Sequence, residues 1–284
     1  MAFLICTFRF ELLRCADFLD IRFRKDVQLR NAVLIITAFL AGASSAKEAP
    51  STDYAGARKV FMAGAGAVIS LNPHKGIGTE VRGIPFFFYQ KEKLSLYGPM
   101  MNYALLKDEY WEVRGLARMR FEGYEEDDSR YLRGMDDREW TLELGGSLSR
   151  ALGKGRVTAD ASADVLNEHR GHEVRLSYNY DFRGAANIRD LMVTPSIGVT
   201  YRSSDLNDYY YGVRRDEAID GRPEYHAGDS IGLLTALRLN YRLDEQWSVM
   251  AMGAVHWLGD EITDSPIVEK DYAASVVLGI MYRF

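Results

Sequence analysis

The last thirteen residues, Tyr272 to Phe284, constrain the fold more than any other stretch of the chain. Strand side chains alternate with period two. Tyr272, Ala274, Val276, Leu278, Ile280, Tyr282 and Phe284 therefore share one face, and Ala273, Ser275, Val277, Gly279, Met281 and Arg283 the other. A long strand with one aromatic-and-aliphatic face, ending on an aromatic residue, is the closing strand of an antiparallel transmembrane β-barrel. The expected class is all-β.

Other segments repeat the pattern. Val174, Leu176, Tyr178, Tyr180 and Phe182 alternate with Arg175, Ser177, Asn179, Asp181 and Arg183. Leu191 to Arg202 and Ile231 to Arg242 behave alike, one face suited to lipid and the other to a polar lumen. Such runs are longer than the usual strand of a soluble sheet. Trp247 and Trp257 lie ten residues apart on one face, as do Tyr272 and Tyr282. Ten residues rise roughly 33 Å. A tilt of about 40° reduces this to about 25 Å, the height of the apolar band between aromatic girdles. These four residues are the expected girdle.

Eleven strands read cleanly, beginning near Phe61, Val81, Leu94, Tyr110, Glu139, Arg156, Glu173, Leu191, Ser230, Gln246 and Tyr272. A bacterial single-chain barrel needs an even number. Asn207 to Arg214 supplies the expected twelfth, with ten strands as the alternative.

The amino-terminal region fits export. Asn31 to Gly42 is a short apolar run behind Lys25 and Arg30, and Ser44-Ser45-Ala46 follows. That is the pattern of a cleaved signal peptide, and it is shorter than the roughly 20 residues of a spanning helix. Residues 1–46 are expected to be a signal peptide with an over-called extension, translation starting near Val27, and residues 47–284 the barrel. Cys6 and Cys15 both precede the cleavage point, so the barrel needs no disulfide. The chain carries a net charge of −5, which argues against a nucleic-acid partner.

Inward positions carry charge of both signs. Arg114, Arg118, Arg120, Glu143, Arg175, Asp181, Arg238 and Arg242 are expected to face the lumen. Paired, such groups plug and stiffen a barrel; hydrated, they line a small polar channel. Catalytic and metal motifs are weaker. Gly228-Asp229-Ser230-Ile231-Gly232 matches a nucleophile elbow, but Ser230 opens a strand where the elbow needs a turn into a helix. His256 would be the base of such a hydrolase. His169 and His172 offer metal donors in a short connection, and Glu122 to Asp128 form an acidic loop without ordered calcium-loop spacing. No catalytic site, metal or cofactor is assigned.

Several motifs resemble those of the MltA-interacting protein family, also called the MipA/OmpV family of outer-membrane proteins. They are Gly64-Ala65-Gly66, Leu132-Arg133-Gly134-Met135-Asp136-Asp137 and Asp208-Tyr209-Tyr210-Tyr211-Gly212-Val213. Asp264-Ser265-Pro266-Ile267-Val268 and Gly279 to Phe284 complete the set, in the family's order. The resemblance implies a barrel in the outer membrane of a Gram-negative bacterium, in contact with its lipid. It also implies insertion by the barrel-assembly machinery, with Tyr282 and Phe284 as part of the assembly signal. For the founding member it implies a structural scaffold, not an enzyme, joining a lytic transglycosylase to a murein synthase. A small porin-like channel with a charged lumen is the alternative.

Overall fold

Alternation of the kind seen in the closing strand leaves each strand needing lipid on one side only, and a closed sheet satisfies every ladder. The computed structural model describes residues 59–284, so the expected signal peptide lies outside the described residues. The strands are β1 (Val60–Leu71), β2 (Thr79–Lys91), β3 (Leu94–Tyr97), β4 (Met100–Lys107), β5 (Trp111–Arg120), β6 (Thr141–Leu152) and β7 (Gly155–Asp164). They continue as β8 (His172–Tyr180), β9 (Phe182–Arg183), β10 (Leu191–Arg202), β11 (Ser230–Arg242), β12 (Trp247–Trp257) and β13 (Tyr272–Arg283). Each pairs antiparallel with its neighbour, β10 meets β11, and β13 returns to β1 through Met62↔Arg283 to Leu71↔Ala274. The two-residue β9 only extends β8 along β10. The wall is thus a closed antiparallel barrel of twelve strands.

The strand number matches the expectation, but its twelfth member is a different segment. Asn207 to Arg214 is not a strand: Ser204–Tyr211 forms an α-helix, α1. Leu206 with Tyr210, and Asn207 with Tyr211, stand four residues apart and are all buried, the spacing of one helical face. Burial of that face overrides the β preference of three successive tyrosines. The missing strand comes instead from the segment begun at Leu94, which Gly98-Pro99 folds into the hairpin β3–β4.

This hairpin is short and leaves the wall uneven. β3 pairs with β2 only from Phe88↔Tyr97 to Lys91↔Leu94. The Gly98 N–H donates to Phe87 O, the Met119 N–H donates to Pro99 O, and there the hairpin ends. Thr79 to Phe86 continue upward along β1 with no partner on their other side among the described residues.

The connections differ sharply at the two ends. At the end carrying Lys59 and Phe284, residues 92–93, 108–110, 153–154 and 243–246 make tight turns, and residues 184–190 make the one longer connection described there. At the other end residues 72–78, 121–140, 165–171, 203–229 and 258–271 are longer. Short turns face the periplasm and long loops the exterior in such barrels.

Candidate functional site

The long loops fold onto one another. Ile77, Tyr124, Leu132, Met135, Leu206, Tyr210, Tyr211, Val213, Ile262, Ile267 and Val268 form one buried apolar cluster, drawn from four of the five connections. Three of the motifs singled out in the sequence, Leu132 to Asp137, Asp208 to Val213 and Asp264 to Val268, meet here. Polar bonds tie the same segments together. Arg138 binds Glu217 at 2.9 Å and donates to Tyr209 O, and Arg222 donates to Tyr131 O at 2.6 Å. Ser265 donates to Tyr211 O at 2.6 Å, and the Tyr225 hydroxyl to Glu261 O at 2.9 Å. The result is an ordered cap over the exterior end.

His74 is buried at the centre of this cap. Its ring stacks on Tyr211 at 5.1 Å, with Nδ1 2.7 Å from Asn72 Oδ1 and Nε2 3.1 Å from Tyr210 O. Two facing acceptors favour a protonated ring. Complete burial outweighs them and lowers its pKa to about 4. Glu122 is held well below the ordinary carboxylate range: burial opposes ionisation, but Arg202 and Arg120 beside it win.

Directly beneath the cap lies an ionic cluster. Arg118 binds Glu143 at 2.6 Å and Glu173 at 2.9 Å. Arg120 binds Glu143, Glu173 and Glu122 at 2.7, 2.8 and 2.7 Å. Arg202 binds Glu122 at 2.7 Å, and Arg175 binds Glu173 at 2.8 Å. Ser162 donates to Glu143, and the Tyr211 hydroxyl of α1 donates to Glu122 at 2.5 Å. Charges removed from water are tolerated when geometry and hydrogen bonding compensate them, and here four arginines interlock with three glutamates. Arg118, Arg120, Glu143 and Arg175 are therefore brought together.

The other expected lumen residues lie elsewhere. Arg114 pairs with Glu112 at 2.5 Å lower on β5. Asp181, between β8 and β9, accepts from Thr194 at 2.7 Å. Arg242 pairs with Asp190 at the turn end, and Arg238 stays exposed. Arg202 was also expected to face the lumen, whereas Glu122, Glu173 and His169 were absent from the expected site. Parity could have found Glu173, which shares a face with Arg175. Glu122 follows the end of β5 and enters through loop folding, which no period reveals.

The lumen wall is two-sided. β5 to β8 carry the charged cluster, whereas β1 to β4, β12 and β13 turn apolar groups inward. Register places Ile84, Phe86, Met100, Met252 and Val277 on the inner face. A Cβ on Gly279 would lie 2.6 Å from the Phe86 ring, so the glycine makes room for that phenyl group. The Tyr97 hydroxyl reaches Met250 Sδ at 3.5 Å across the lumen.

The remaining candidates find structural places. The Ser230 hydroxyl meets the Asn207 amide at 2.9 Å at the start of β11, with no turn into a helix behind it. His256 faces inward from β12. His169 is buried beside Glu143 at 3.3 Å, whereas His172 is exposed on β8. On the outer face, Trp247 meets Tyr282 at 5.0 Å at one end of the β12–β13 pair, and Trp257 meets Tyr272 at 5.8 Å at the other. Phe284 stacks on Phe61 at 5.2 Å.

Comparison with known proteins adds relatives. A family model described as "MltA-interacting protein MipA" matches residues 63–284. Outer membrane protein Omp26La of Vibrio anguillarum is 32% identical over 57% of this chain and 61% of its own length. Outer membrane protein OmpV of Vibrio cholerae is 34% identical over the same shares. The chain thus spans about three fifths of those two relatives. It is 29% identical to the MltA-interacting protein of Escherichia coli K12, over 83% of this chain and 95% of that one. Among solved structures, the translocator domain of the autotransporter NalP from Neisseria meningitidis covers 89% of this chain and 96% of its own, at TM-score 0.41 and 11% identity.

Proposed function

The chain belongs to the MltA-interacting protein family of Gram-negative outer-membrane β-barrels, and on that premise we propose that it is a structural scaffold for murein-remodelling enzymes. A lytic transglycosylase and a murein synthase would be held at its periplasmic end. One observation carries this reading: the exterior end is closed by a cap with its own buried core, seated on an interlocked cluster of four arginines and three glutamates. A lumen filled this way favours a rigid platform over a pore. The name of the Escherichia coli relative, which speaks of an interaction with MltA, supports the same direction.

The test is a pull-down from a solubilised envelope extract, with the folded barrel immobilised in mild detergent. Retention of a lytic transglycosylase together with a murein synthase is expected. Retention of neither, with steady conductance in a planar bilayer, would overturn the scaffold in favour of the channel.

A further inference from the structure

The uneven wall opens a route that the cap does not cover. Among the described residues, the tops of two strands are missing beside β2, and the gap runs from the Gly98-Pro99 turn to the loop end. In an antiparallel ladder the backbone groups of alternate residues point to alternate sides. Phe87 O bonds toward β3, so Val81, Gly83 and Pro85 direct their backbone groups into the gap. An open sheet edge is not tolerated against hydrocarbon, because unpaired N–H groups cost several kcal/mol each. The edge is arranged by depth. Pro85, the deepest of the three, has no N–H, while the N–H groups of Val81 and Gly83 lie nearer the loop end. Register through β1 sets Thr79, at that end, opposite Ala274, two residues inside the Trp257–Tyr272 pair, so the gap opens just below the aromatic girdle that marks the head-group level.

The side chains divide the same way. Val81, Phe87, Met101 and Phe121 are exposed apolar groups around the gap. Arg82 points inward, yet its side chain is 70% exposed, against 13% for Arg118 on the intact wall. Its partner among the described residues is Glu80, at 3.0 Å. Behind the gap stands the apolar half of the lumen, with Ile84, Phe86 and Met100.

We propose that this window is a lateral binding site for one phosphorylated, acylated glycolipid of the outer leaflet. A phosphate sits on Arg82, acyl-linkage carbonyls accept from Val81 and Gly83, and a chain passes Pro85 over the β3–β4 turn. A second copy of the barrel is a poor occupant. Two barrels inserted in one sense would bring their β2 strands together running the same way, crossed by twice the tilt.

Native mass spectrometry of the folded barrel in detergent, titrated with purified lipid A and separately with diacyl phosphatidylglycerol, tests this. One lipid A retained per barrel is expected, with phosphatidylglycerol washed away. Arg82→Gln should weaken retention about tenfold, the loss of one charge-assisted contact. Glu80→Gln should keep or tighten it. The amides of Val81 and Gly83 should gain protection from hydrogen exchange only with lipid A. The proposal fails if lipid A is not retained, if both lipids are held equally as annular lipid, or if Arg82→Gln leaves retention unchanged. It also fails if Glu80→Gln abolishes binding, since the pair would then be merely structural. Heat-modified mobility on a gel confirms that each variant is folded.

Discussion

Arg120 shows how much one side chain organises. It touches Glu122, Glu143 and Glu173 at once, so Arg120→Ala removes the one guanidinium shared by all three acids and leaves them only Arg118, Arg175 and Arg202. Removing one partner of a buried ionic group costs about 3–5 kcal/mol. The expected outcome is a folded barrel that loses its heat-modifiable form at markedly lower temperature, measured by gel shift against wild type. His74 sets the acid limit of the cap. Its pKa falls to about 4 in the folded protein, against 6.5 for the free side chain, so the unfolded chain binds the proton more readily. The stability that comes from keeping it neutral is full above about 6.5 and is lost as pH falls toward 4. Tyr124, Tyr211, Glu122, Arg138 and Asp128 surround it, and Glu122 stays ionised across that range. Proteolysis of residues 203–229 should therefore accelerate between these two pH values, and His74→Phe should flatten the profile.

At the scale of elements, the terminal strand and α1 make contrasting cases. β13 was legible from alternation alone because both its neighbours are strands and its outer face meets a uniform solvent, lipid. We propose that Phe284 belongs to the signal read during assembly; its ring also closes the seam by stacking on Phe61. Deleting Phe284 should lower the amount of folded protein in the outer membrane, scored by fractionation, and unchanged insertion would leave it a girdle residue only. α1 was misread because Tyr209, Tyr210 and Tyr211 favour strands locally, while its partners, from Ile77 to Val268, lie far away in sequence. The hairpin β3–β4 carried a turn signal, Gly98-Pro99, but two strands so short resemble one long one. Tyr210→Ala should cost about 3–5 kcal/mol, the value for a large buried aromatic. It should raise proteolytic nicking of the loops while the barrel stays embedded.

Across the whole molecule, the face of each strand residue was readable, whereas pairing between distant faces was not. Period two told which way Arg118, Glu143 and Arg175 point. Only the curvature of the closed sheet and the descent of Glu122 decide that they neutralise one another. The same closure predicts low conductance: wild type in a planar bilayer should be nearly silent, and a deletion of residues 206–226 should open a measurable current.

The cap draws its core from connections scattered along the chain, between β1–β2, β5–β6, β10–β11 and β12–β13. An eight-residue helix such as α1 does not hold its shape alone. The cap can therefore form only after the last strand has closed the first, which makes it a late event in the history of each molecule. A barrel caught before that moment presents loose, cleavable loops, and a finished one does not.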